Sequence, residues 1–281
     1  MRARKEPTAT RATKSTATRA TKGTAQAIVA RLPTDCLSGA ARAQLLRLMM
    51  LARVTEQRAR LFLDREAGAE PAARWRDAIG AGTAAALGAH DRLIAPGRYL
   101  AAHVGRRSEG SIGGRSAAVD LLPIAVGAAL AIAERGSGGV VVTLLDEGAM
   151  AGERWSESLE VATARRLPLV LVIEVAEASA GASPTSTPTP PPRPQLGEAV
   201  DAADPEVVLA AVRAAVQRAR RGDGPAVLAC VTPGAVTVVR GARGAAIHDP
   251  IELYARRLFG AGVPRREIDS VLQGAEDEVV A

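Results

Sequence analysis

Two short runs constrain this chain more than anything else in it. Residues 138–145, "GGVVVTLL", and 167–173, "LPLVLVI", are aliphatic and β-branched, with no charge on either alternating face. A strand that is apolar on both faces must be covered on both, which is the habit of parallel sheets. The segment between the runs is of helix length, and Trp155, Leu159 and Ala162 supply one face of it. Strand, helix and strand of this kind predict a parallel βαβ unit with a right-handed crossover.

The flanking sequence extends that unit. Leu45, Leu48, Met49, Ala52, Ala59, Phe62 and Leu63 recur at helical spacing, which predicts an amphipathic helix over about 41–66. "AIGAGTAAALGAHDRLIAPG" reads as a small-residue helix, a turn at His90-Asp91 and a short strand. "LLPIAVGAALAIA", Leu121 to Ala133, is apolar on nearly every side and predicts a buried helix. Small residues at Ala125, Gly127 and Ala128 suit it to close packing at a subunit interface. Further on, Asp204 and Pro205 are an N-cap and a first-turn proline for a helix whose end is basic. "PAVLACV" is another buried strand, and two terminal helices follow, "HDPIELYARRLFG" and "PRREIDSVLQGAEDEV". The expected fold is a three-layer α/β domain over residues 28–281, with a parallel sheet and a helical C-terminal arm.

Two stretches stand outside that domain core. Residues 182–195 include six prolines between 184 and 194, which forbids a helix or a central strand and predicts an extended loop. Residues 1–27 repeat "ATRATKST" as "ATRATKGT" and have no apolar face to bury, so they are expected to be a disordered tail. Seven basic residues there (Arg2, Arg4, Lys5, Arg11, Lys14, Arg19, Lys22) against Glu6 carry the whole formal charge of +6. The rest of the chain is neutral, so nucleic acid is a candidate partner only through the tail. Its composition also fits a transit peptide, although every Lys lies at or before Lys22 while Arg and Ala dominate elsewhere, as in a GC-rich bacterial gene.

No run is long and apolar enough for a membrane span, and no signal-peptide core is visible. Cys36 and Cys230 stand alone, without metal-ligand spacing, and suit a reducing cytoplasm.

The candidate site is "DEGA", Asp146 to Ala149, where the first buried strand ends and a helix is about to begin. Ligands of open parallel sheets sit beyond the carboxyl ends of the strands, and the free amides of a helix start favour anions. On the residues alone, a solvated turn is the stronger reading, since Asp-Glu-Gly after a strand is often no more than that.

A longer comparison gives the turn a meaning. Val140 to Glu174 resembles, without a gap, the strand, G-D-G-A turn, helix and second strand of the alpha subunit of thiamine-diphosphate-dependent 2-oxo acid dehydrogenases. "PIAVGAALA" (Pro123–Ala131), "AIGAGTAAALGAHDRLIAPGRY" and "HDPIELYARRL" are similar to further blocks of that family, in the same order, from about Leu45 to Val279. The resemblance implies the thiamine-diphosphate-binding fold, thiamine diphosphate held through magnesium, and a beta subunit as partner, self-association being the alternative. It puts Asp146, Glu147, Gly148 and Ala149 at the diphosphate, with Glu147 as the metal ligand, and Arg98, Tyr99 and His103 near the cofactor.

The chain also departs from the family pattern. Asp146 stands for the first motif glycine, Glu147 for the aspartate, and Val175 and Ala176 for the two asparagines after the second strand. Arg98-Tyr99 is displaced and reversed relative to the family's Tyr-Arg-x-His. A histidine-containing glycine loop is largely missing between Arg106 and Asp120. The loop before Asp249 is shortened, and His248 stands where arginine is usual. These losses fall together on the cofactor side. Two functions therefore compete: an alpha subunit that decarboxylates a 2-oxo acid with its beta chain, or a non-catalytic paralogue serving as scaffold or regulator. A nucleic-acid-binding role for the tail is the third.

Overall fold

The computed structural model describes residues 37–63, 75–97, 99, 102–103, 111–114, 118–150, 153–176, 197–232 and 249–280. All lie in one compact unit, residues 31–281. The basic tail, the Pro-rich loop, Arg98 and His248 fall outside the described residues.

The expected parallel sheet is present. Among the described residues six strands, β1 (Arg92–Pro96), β2 (Ser111–Gly114), β3 (Val141–Asp146), β4 (Leu169–Ala176), β5 (Glu198–Asp201) and β6 (Ala226–Thr232), lie in the order β2-β1-β3-β4-β6-β5. Every neighbouring pair is parallel. The chain runs outward from β1 to β2, then crosses back to place β3 on the other side of β1. Strand order therefore reverses between β1 and β3, which is where such a sheet opens a crevice at its carboxyl end.

Alternation along the strands builds two cores. Val140, Val142, Leu144, Val170 and Val172 face Ile79 of α2 (Trp75–Ala86) and Val208, Val212 and Ala215 of α5 (Pro205–Arg220). Val141, Leu145, Leu169, Leu171 and Ile173 face Leu122, Ala125 and Ala129 of α3 (Ala118–Arg135) and Trp155 and Ala162 of α4 (Glu153–Ala164). Sheet and two helical layers make the three-layer domain. A third cluster joins α1 (Gly39–Leu63) to α2 and to the C-terminal arm, α6 (Pro250–Gly260) and α7 (Arg265–Val280).

Caps and polar ties fix the helices. Asp204 accepts from the Glu206 amide at the start of α5, and Asp249 accepts from the Ile251 amide at the start of α6. Arg53, in the middle of α1, joins Asp77 of α2 at 2.6 Å and Asp249 at 2.7 Å, tying α1 to the starts of two other helices. Burial alone lowers the pKa of Arg53, and its two carboxylates more than reverse that, so the charge is secure. Gly82 lets α2 and α5 meet. A Cβ there would lie 2.7 Å from the Pro205 carbonyl oxygen and 2.8 Å from Val208 Cβ, both too close.

One expectation is corrected. Leu121–Ala133 is helical but is not buried on nearly every side. Leu121, Leu122, Ala125 and Ala129 are buried, whereas Pro123, Ile124, Gly127 and Ala131 form an exposed stripe. Apolar composition demands cover, and within this chain the sheet covers only one face of α3. β2 and β5 were not expected at all.

Candidate functional site

The carboxyl ends of β1, β3 and β4 meet at the reversal point. Asp146 ends β3, and Glu147–Met150 form a single 3-10 turn before α4. Asp146 Oδ1 accepts from the Ala149 amide at 3.2 Å, so this carboxylate caps its own turn. Glu147 is half-buried, Gly148 exposed and Ala149 buried. Tyr99 and His103 lie just beyond β1. The Tyr99 amide donates to the Pro96 carbonyl, and His103 Nε2 lies 3.3 Å from the same oxygen. The structure thus gathers Tyr99, His103 and the 146–149 turn around the ends of two adjacent strands.

The most heavily bonded groups here are ones the sequence did not single out. Glu174, on β4, accepts at Oε2 from Arg76 Nε at 2.8 Å and from the Tyr99 hydroxyl at 2.9 Å. That hydroxyl is also 3.1 Å from the Leu145 carbonyl, so the buried Tyr99 side chain reaches from the end of β1 across β3 to β4. Its single proton favours the charged acceptor. Arg76 lies over the tyrosine ring, 5.8 Å from its centroid. Burial lowers the Arg76 pKa, but the Glu174 carboxylate outweighs this and raises it overall. Glu174 carried a faint signal as the last polar residue of "LVLVIE". Arg76, 98 residues away, carried none.

The residues present can be tested against a magnesium diphosphate. Mg²⁺ requires near-octahedral oxygen at short range. Glu147 carries a carboxylate one methylene longer than the aspartate it replaces, Asp146 Oδ1 already accepts from the Ala149 amide, Val175 is buried and apolar, and Ala176 has no side-chain oxygen. Among the described residues no cluster of three His, Cys, Asp or Glu side chains is placed to hold a metal. Among the described residues, the buried side-chain polar atoms without a hydrogen-bond partner (Thr83 Oγ1, Thr143 Oγ1, Trp155 Nε1 and Glu206 Oε2) lie outside the turn and the end of β4. The donor set does not fit a metal held as the family resemblance implies.

Cys230, opposite Glu174 in the β4–β6 register, is fully buried. Burial, with the Glu174 and Asp201 carboxylates nearby, pushes its thiol up to about 12. The folded protein keeps this proton that the unfolded chain loses near 8.5, so its contribution to stability is complete below that pH. The contribution then falls as pH rises toward about 12. In a Cys36→Ser background, a thiol reagent at pH 8 should label Cys230 only after denaturation; labelling of the native protein would contradict this burial.

Comparison with known proteins follows the same part of the molecule. The profile of the family described as dehydrogenase E1 component matches residues 96–233, just under half of the chain and less than the Leu45–Val279 resemblance. The match runs from the end of β1 through β6, so it includes Tyr99, the 146–149 turn and Glu174. Among solved structures, one similar chain carries the description "putative thiamin diphosphate-dependent enzyme isolated from Mycobacterium smegmatis". It is 16% identical, with a TM-score of 0.40, over 56% of this chain and 31% of that one. Another is benzoylformate decarboxylase from Polynucleobacter necessarius, 16% identical with a TM-score of 0.39, over 61% of this chain and 34% of that one. The chain spans about a third of the length of each. Among curated proteins nothing matches. No described helix is long and apolar enough to cross a membrane.

Proposed function

We propose that this chain is an alpha-subunit-type member of the 2-oxo acid dehydrogenase E1 group that keeps the fold and a subunit-pairing surface but does not itself hold thiamine diphosphate. The match to the E1 component profile supports the kinship. The observation that carries the rest is the end of β4, where Glu174 is locked to Arg76 and Tyr99 and the next two positions are Val175 and Ala176. Such a subunit acts as scaffold or regulator for a beta chain or for a second copy of itself. The exposed stripe on α3 is the surface suited to that pairing.

Calorimetric titration of thiamine diphosphate with Mg²⁺ into the full chain, alone and coexpressed with a 2-oxo acid dehydrogenase beta subunit, tests both halves. We expect a stable complex and no saturable heat from cofactor. Losing a strong polar partner costs about 1–3 kcal/mol, and two such losses weaken binding by roughly two to four decades. Tight, magnesium-dependent binding by the unaltered chain would restore the decarboxylating alpha subunit. Failure to pair, with a beta chain or with itself, would remove the subunit role.

A further inference from the structure

Three separate elements bring Arg76, Tyr99 and Glu174 to one point. Arg76 comes from α2, Tyr99 follows β1 and Glu174 lies on β4, and the two donors converge on a single oxygen, Glu174 Oε2, at 2.8 and 2.9 Å. The Tyr99 side chain crosses the place where strand order reverses, which is the ligand crevice of an open parallel sheet. A guanidinium and a phenolic hydroxyl, side by side, bind an oxyanion of whatever origin, because each needs only an acceptor oxygen in reach. Here the oxyanion in reach belongs to the chain.

We propose that Glu174 is the internal occupant of an anion-binding crevice, its carboxylate holding the Arg76 and Tyr99 donors that would otherwise take a phosphate or diphosphate group. The crevice is reachable from outside, since the Arg76 side chain is 24% exposed and that of Glu174 10%. With Glu174 in place the pair is neutral, and the carboxylate takes Arg76 Nε and the Tyr99 hydroxyl, the two donors that converge there. Without it, one cation and one hydroxyl face the same small space beside the 146–149 turn. An ordinary structural ion pair makes the opposite prediction, since breaking it costs stability and creates no ligand site. The inference rests on the proposed loss of cofactor binding, but its test needs neither a partner chain nor a metal.

The probe is inorganic pyrophosphate, added at matched ionic strength to the full chain and followed by calorimetry and thermal shift. Glu174→Gln keeps the shape and removes the charge. This variant should bind pyrophosphate roughly tenfold or more tightly than wild type, the equivalent of about one charge-assisted hydrogen bond. Adding Arg76→Gln should return binding to the wild-type level. Glu174→Ala, which leaves a gap an anion can enter, is the second variant should the first not fold, and is read in the same way. A folded Glu174 variant that binds no better than wild type overturns the inference. So does a double variant that binds as tightly as the single one, because the anion is then held elsewhere. Neither outcome bears on whether the chain pairs with a beta subunit.

Discussion

Asp91→Ala should cost about 2–4 kcal/mol of folding stability, a large share of what a single domain has to lose. Asp91 is 1% exposed and sits at the amino-terminal edge of the sheet, just before β1. Its Oδ1 accepts from the buried Val140 amide at 2.9 Å and from Arg220 at 2.6 Å, and its Oδ2 from the Gly88 amide at 2.8 Å. One carboxylate thus joins the turn after α2, the start of β3 and the end of α5. Removing it strands the Val140 amide in the core with no water to replace the bond, which is the expensive kind of loss. Arg220→Met takes the countercharge from a carboxylate that is 1% exposed but leaves both of its amide bonds, so it should cost less than Asp91→Ala, about 1–2 kcal/mol. Denaturant unfolding of both variants checks the pair of values. An Asp91→Ala cost no larger than that of Arg220→Met would show that the network is incidental.

Gly127→Leu should leave the fold intact and abolish assembly. A Cβ at Gly127 meets nothing within 4 Å, so a larger side chain is tolerated inside the chain itself. Replacing a mid-helix glycine even favours the helix, by about 1 kcal/mol. The cost appears only if another helix must approach closely along Pro123, Ile124, Gly127 and Ala131. Ile124 is 45% exposed there, and Val161 of the adjoining α4 is 47% exposed, more apolar surface than a solvated helix pair needs. The expected result is a variant that melts no lower than wild type but elutes as a smaller species. Elution at the wild-type size would place the interface elsewhere.

Where the sequence was legible, the determinant was local. Asp204-Pro205 announces the start of α5 because cap, proline and helix are consecutive residues. The runs that became β3 and β4 announce themselves because burial on both faces writes itself into every residue. β2, "SIGG", and β5, "EAVD", have only four residues each and exist because β1 and β6 offer them an edge. Gly197 shows how such information hides. A Cβ there would lie 1.7 Å from the Val227 carbonyl oxygen, a fact of the partner strand and not of the glycine's neighbours. Helix α3 was misread for a related reason, since apolar composition says that a surface is covered without saying by what. At the site, the 146–149 turn was found from its place at the end of a strand. The Arg76–Glu174 bond was not, because it spans 98 residues and neither side chain belongs to a periodic pattern.

The tie between α1 and the C-terminal arm also bears on how the chain is made. Leu45, Leu46 and Met49 are buried partly against Ile251, Tyr254, Leu258 and Ile268, and Arg53 waits for Asp249, 196 residues further on. At ordinary rates of synthesis that distance takes roughly 10–40 s to cross. Throughout it, α1 carries an apolar face part of whose cover has not yet been translated. The ribosome, and not the folding reaction, therefore sets how long that face stays open to other chains.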